Sequence, residues 1–178
     1  MRTFAVSAIG ADRPGIVAAV TGALLPHGIN IEDSRMAILR GRFAMMLVVA
    51  APESVDLRAV RADLERVGGT LGLDATAINE VGRGTTANPA SHVVTVYGAD
   101  HPGIVHAVCV TLAERDCNIT DLLTRVLGEG ETGVAYVLIL EVALPDSLAP
   151  EALTKDLEAV AREQSVQVTV RPLERDAF

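Results

Sequence analysis

The amino-acid sequence predicts an α+β chain made of two copies of one βαββαβ unit, each a four-stranded antiparallel sheet with two helices on one face. Three observations carry this. Gly10-Ala11-Asp12-Arg13-Pro14-Gly15-Ile16-Val17-Ala18-Ala19-Val20 returns 88 residues later as Gly98-Ala99-Asp100-His101-Pro102-Gly103-Ile104-Val105-His106-Ala107-Val108, identical at nine of eleven positions. Within each copy the hydrophobic period switches between two and 3.6 in the order strand, helix, strand, strand, helix, strand. Between the copies, residues 81–91 are rich in Gly, Thr and Pro and lack apolar spacing, which reads as a linker between units at 1–80 and 92–178.

The elements of the first copy follow in order. Thr3 to Ile9 is short, apolar and β-prone. Asp12, Pro14 and Gly15 then announce a helix, with Asp12 as its expected cap and Pro14 in the first turn. Ile16, Val17, Val20 and Leu24 form that helix's expected buried stripe, and Pro26-His27-Gly28 ends it. Asn30 to Leu39 and Phe43 to Ala50 read as a hairpin turning at Arg40-Gly41-Arg42. The second of these strands is apolar throughout, which predicts burial on both sheet faces. Since helices cover one face only, the other is expected to pack on another domain or subunit. Leu57, Val60, Leu64 and Val67 mark a second helix that Gly68-Gly69 should end, and Leu71 to Ala77 supplies the last strand.

The second copy repeats these signals with one insertion. The register slips by five residues between Asn118-Ile119-Thr120-Asp121 and Asp156-Leu157-Glu158. Gly128-Glu129-Gly130-Glu131-Thr132-Gly133 is the expected site, a longer hairpin loop forming a flap. Strand, helix, strand, strand, helix, strand is the split βαβ, or ferredoxin-like, plan.

With Asp-x-Pro-Gly-Ile-Val after the first strand and Asn-Ile opening the second in both copies, the chain resembles tandem ACT domains, and among them the glycine cleavage system transcriptional repressor family. The resemblance implies a non-catalytic regulator without a cofactor, a homodimer or higher oligomer assembled through sheet edges or faces. It implies a free amino-acid ligand, glycine or serine, bound where the first strand-to-helix loop meets the second strand. Carried over, it places Gly10, Asp12 and Asn30 in one site and Gly98, Asp100 and Asn118 in the other. It leaves two modes of action: a transcriptional co-regulator working through a partner protein, or a regulatory subunit conferring feedback control on a metabolic enzyme.

The residues suit a zwitterion. The backbone N–H groups of Gly15 and Ile16, and of Gly103 and Ile104, stand at helix starts, where unpaired donors and the helix dipole favour a carboxylate. Asp12 and Asp100 can accept from the ammonium, and the Asn30 and Asn118 amides can bridge both ends. Charge-assisted bonds of roughly 1.5 to 3 kcal/mol each, less the cost of immobilising the ligand, point to dissociation constants between about 1 mM and 1 μM.

Other function classes lack their residues. A net charge of -8 and 3% aromatics disfavour direct nucleic-acid binding, which needs clustered cations and stacking rings. Arg40-Gly41-Arg42-Phe43-Ala44 echoes an RNA-binding strand motif, but Met45 and Met46 follow where aromatics are needed. Asp100, His101, His106 and Cys109 crowd one segment without forming a nucleophile, base and orienter chain, so no catalytic residue is assigned. His101 and His106, five apart, do not stack on a helix face, so no metal site is expected. Cys109 and Cys117 form no redox or metal pattern and read as small buried hydrophobes. The apolar stretch within Met1 to Gly10 is too short for a signal peptide or a membrane span before Asp12 and Arg13 follow, so the protein is expected to be cytoplasmic.

Overall fold

A computed structural model describes residues 1–82, 88–130 and 133–174. The chain divides into two compact units, Met1–Thr85 and Thr86–Phe178. The first contains β1 (Arg2–Ala11), α1 (Ile16–Leu24), β2 (Asn30–Leu39), β3 (Arg42–Ala51), α2 (Leu57–Leu71) and β4 (Leu73–Glu80). The second contains β5 (His92–Ala99), α3 (Ile104–Glu114), β6 (Asn118–Gly130), β7 (Gly133–Ala143), α4 (Pro150–Glu163) and β8 (Val166–Pro172). The sheets run β2-β3-β1-β4 and β6-β7-β5-β8, antiparallel throughout, so each unit is the ferredoxin-like plan the sequence predicts. Among the described residues no helix is long and apolar enough to cross a membrane. The expected linker at 81–91 includes residues 83–87, which lie outside the described residues; next to them, Val81 N–H donates to Thr3 O at 2.9 Å and Ser91 N–H to Val142 O at 2.8 Å.

Each unit has its own core. Phe4, Val6 and Ala8 of β1 and Phe43, Met45, Leu47 and Val49 of β3 bury one sheet face against Ile16, Val20 and Leu24 of α1 and Val60, Leu64 and Val67 of α2. Val94, Val96, Leu138 and Leu140 meet Ile104, Val108, Leu112, Leu153 and Leu157 in the same way. At roughly 1.5 to 3 kcal/mol per fully buried large side chain, these faces are the main source of folding energy.

Three sequence expectations are corrected. Asp12 does not cap α1: the capping position is Gly15, at φ 93° and with no side-chain cap, because the chain enters the helix through a left-handed turn. Val17, expected in the buried stripe, is 42% exposed, and Ala23 takes its place in the core. On the other face of β3, expected to pack on another domain or subunit, Ala44 and Met46 are exposed, Met46 at 57%, while Val48 is half-buried and Ala50 is buried. Gly68 and Gly69 do not end α2, which runs to Leu71 and closes on Gly72 in the left-handed region. Gly68 is a packing glycine, because a Cβ there would stand 3.1 Å from Thr76 Cγ2 on β4.

The insertion of the second unit is largely strand. β6 continues to Gly130 and β7 begins at Gly133, with the pairing shifted between Val126 and Glu129. The tip of the expected flap, residues 131–132, lies outside the described residues.

Candidate functional site

The site grows from the end of β1. Ala11 pairs with Arg42, and Asp12 N–H donates to Gly41 O at 2.8 Å, which ties the Asp12–Gly15 loop to the β2–β3 turn. Gly15 turns the chain into α1, whose first α-helical bond runs from Ala19 N–H to Gly15 O at 2.9 Å. The N–H groups of Ile16, Val17 and Ala18 therefore have no acceptor within the helix, and the dipole adds positive potential where they point. These residues, with Asp12 and Arg13, line a cleft of about 530 Å³ whose far wall is Met36 and Phe43. The volume falls within the range of small-molecule sites.

Asp12 is exposed and has no side-chain partner among the described residues, so its carboxylate is available to a cation. Arg13 reaches toward the end of α2, with its Nη2 3.9 Å from where a Gly72 Cβ would stand. A cation there complements the helix C-terminus. Across the same end of the sheet Arg42 and Asp74 form an exposed ion pair.

The second unit differs at this place. His101 stands where Arg13 does, with Nε2 2.7 Å from Gln164 O and Nδ1 3.1 Å from Pro102 O. Two carbonyl partners require two N–H donors, so the bond to Gln164 first, then that to Pro102, raises the imidazole above its ordinary value. Phe43 is replaced by Tyr136, paired with Gly98 as Phe43 is with Gly10, and Met36 by Thr124. Burial pushes the Tyr136 phenol up and the nearby Asp100 charge adds to it, while hydrogen bonding with Thr124 opposes the shift. Burial likewise pushes up the thiols of Cys109 and Cys117, the latter buried as expected and the former only half-buried. Among the described residues no three metal-ligating side chains stand together.

The residues expected in the sites separate into four groups. Asp12, Gly15 and Ile16 meet at the cleft. Asp100, Gly103 and Ile104 hold the equivalent loop of the second unit, with Gly103 at φ 108° capping α3. Gly10 and Gly98 lie in the sheet, where strand packing accounts for them: a Cβ on Gly10 would stand 2.9 Å from Leu73 Cα, and one on Gly98 2.7 Å from Val166 Cγ1. Asn30 and Asn118 are at the opposite end of their own sheets. Asn30 pairs with Ala50, which pairs with Thr3, whereas Asp12 follows Ala11 at the other end of β1. Eight rows at about 3.3 Å put them roughly 25 Å apart. Asn118 pairs with Ala143, one step past the Val142–His92 pair, while Asp100 follows Ala99. Within one unit, then, Gly10, Asp12 and Asn30 do not form a single site, nor do Gly98, Asp100 and Asn118. Asn30 borders a separate depression with Thr21, Leu25 and Ile31.

Sequence reasoning missed Arg13, Pro14, Val17, Ala18, Met36 and Phe43 as cleft residues. Counting back from the Arg40-Gly41-Arg42 turn levels Met36 with Met45, but nothing local says that the helix start lies beside that row.

Comparison with known proteins supplies the remaining observations. A family model described as ACT domain matches residues 2–77 and 92–171. A UPF0237 protein of Methanopyrus kandleri is 42% identical over 76 residues, covering 42% of this chain and 84% of its own. The glycine cleavage system transcriptional repressor of Escherichia coli (strain K12) is 26% identical over 166 residues, covering 93% of this chain and 87% of its own. The crystal structure of an unknown protein from Galdieria sulphuraria superposes with a TM-score of 0.82 at 29% identity, covering 97% of this chain and 99% of that one.

Proposed function

The chain belongs to the ACT domain family, twice over, and from that premise we propose that it is a cytoplasmic regulatory protein that binds a free amino acid at the loops after β1 and β5 and acts through a partner protein. The observation that carries this reading is the cleft beside α1. Asp12, whose carboxylate has no partner among the described residues, lines the same cleft as the first-turn N–H groups of Ile16, Val17 and Ala18, which have no acceptor within the helix. That pairing suits one small molecule bearing an ammonium and a carboxylate a few ångströms apart. The likeness to the Escherichia coli repressor over most of both chains supports transcriptional control as the output. Asn30, far from Asp12 in its own sheet, can join such a site only from another unit, which fits a homo-oligomer.

A thermal-shift screen of the twenty amino acids tests the sensor. At a hundredfold excess over its dissociation constant a ligand adds about 2.7 kcal/mol, or roughly 5 to 10 °C for a chain this long. Asp12→Ala should leave the unliganded melting temperature nearly unchanged and weaken binding by about tenfold or more, as expected for loss of a charge-assisted bond. Silence across the panel would remove the sensing reading. A pull-down from native cells separates the two outputs: a DNA-binding regulator supports the co-regulator, and a biosynthetic enzyme supports the feedback subunit.

A further inference from the structure

We infer that the cleft of the first unit selects an amino acid with an apolar side chain of valine or leucine size, and that Met36 sets this preference. The inference rests on the amino-acid-sensing reading and adds the ligand class. Once the charged ends of a zwitterion occupy Asp12 and the start of α1, its side chain must lie toward the opposite wall. That wall is Met36 on β2, 51% exposed, above Phe43 on β3, which is 2% exposed, with Val17, 42% exposed, flanking them. Two large apolar side chains left half in water beside a cleft are covered by an apolar ligand and by nothing that glycine carries. A serine hydroxyl would be desolvated against carbon and sulfur.

Arg13 is the one lining cation, and its guanidinium reaches toward the C-terminal end of α2 at Gly72, so it does not call for an acidic side chain. The second unit supplies an internal contrast. At the positions of Met36, Phe43 and Ala18 it has Thr124, Tyr136 and His106, so its equivalent wall carries two hydroxyls and an imidazole. The fold is shared and the wall chemistry is not. The apolar preference therefore belongs to the first cleft.

Titration calorimetry on the full chain with glycine, serine, glutamate and leucine tests this, with the second loop's carboxylate removed by Asp100→Ala so that the first cleft is read. In that background leucine should bind at least about tenfold more tightly than the other three, the scale on which hydrophobic pockets separate side chains. Met36→Thr, which gives the wall its second-unit character, should bring leucine to the level of glycine while glycine binding stays as it was. Met36→Leu should keep the preference, and Thr124→Met should leave the first cleft's leucine affinity unchanged. The inference is overturned, with sensing intact, if glycine, serine or glutamate binds as well as leucine or if Met36→Thr leaves leucine affinity unaltered. If none of the amino acids binds, the sensing reading falls and the inference with it.

Discussion

At the scale of single residues the two units exchange an arginine and a histidine between two places. Arg13 at the first loop corresponds to His101, while His27 at the end of the first helix corresponds to Arg115. His27 meets Asp63 at 2.8 Å and Arg115 meets Asp156 at 2.6 Å, so the aspartate of the second helix keeps a partner in both units. For His101 the folded-state pKa is raised, by its bonds to Gln164 and Pro102. Its stabilising contribution is then complete below about 6.5, the value of a free imidazole, and disappears as pH rises through the folded-state value. The melting-temperature gap between wild type and His101→Gln should be largest near pH 5.5 and shrink by pH 8; a gap independent of pH would contradict this. Gly15 gives a second prediction. Its φ of 93° suits glycine, and a Cβ would meet open space, so Gly15→Ala should cost about 1 to 2 kcal/mol in denaturant titrations through backbone strain alone.

At the scale of elements, β2 and β6 stand out as long edge strands. All ten residues of β2 are exposed, and beyond the cleft Ile38 and Leu39 lie near its turn end. β6 exposes Leu122, Leu123, Val126 and Leu127. Each stands at the end of its sheet's strand order, and apolar edges of this length can add another strand. The proposed homo-oligomer would use them, and Ile38→Lys should lower the mass measured by light scattering while leaving the circular dichroism spectrum intact. An unchanged mass would move the interface elsewhere. Element boundaries show how far local pattern reaches. The strands of the first hairpin and the stripe of α2 follow from spacing, because apolar period is a local property. The end of α2 does not, because Gly68 serves contact with Thr76, which no local pattern contains.

At the scale of the whole molecule, the proposed division of labour places ligand binding in this chain and nucleic-acid contact in a partner. With a net charge of -8, purified protein should not retard duplex DNA in a gel at about 0.15 M salt, where binding depends on neutralising phosphates. Retardation at micromolar protein would show a local basic patch and overturn that division.

The duplication, the order of the elements and the strand-to-helix loops were determined by sequence alone, because repeats, hydrophobic periods and turn residues act over a few neighbours. Which loop residues share a cleft was decided by tertiary structure. Antiparallel pairing sends Asn30 to the far end of the sheet from Asp12 and brings Met36 and Phe43 beside the start of α1. Such neighbours are set by strand register, a relation between distant segments that no local pattern encodes.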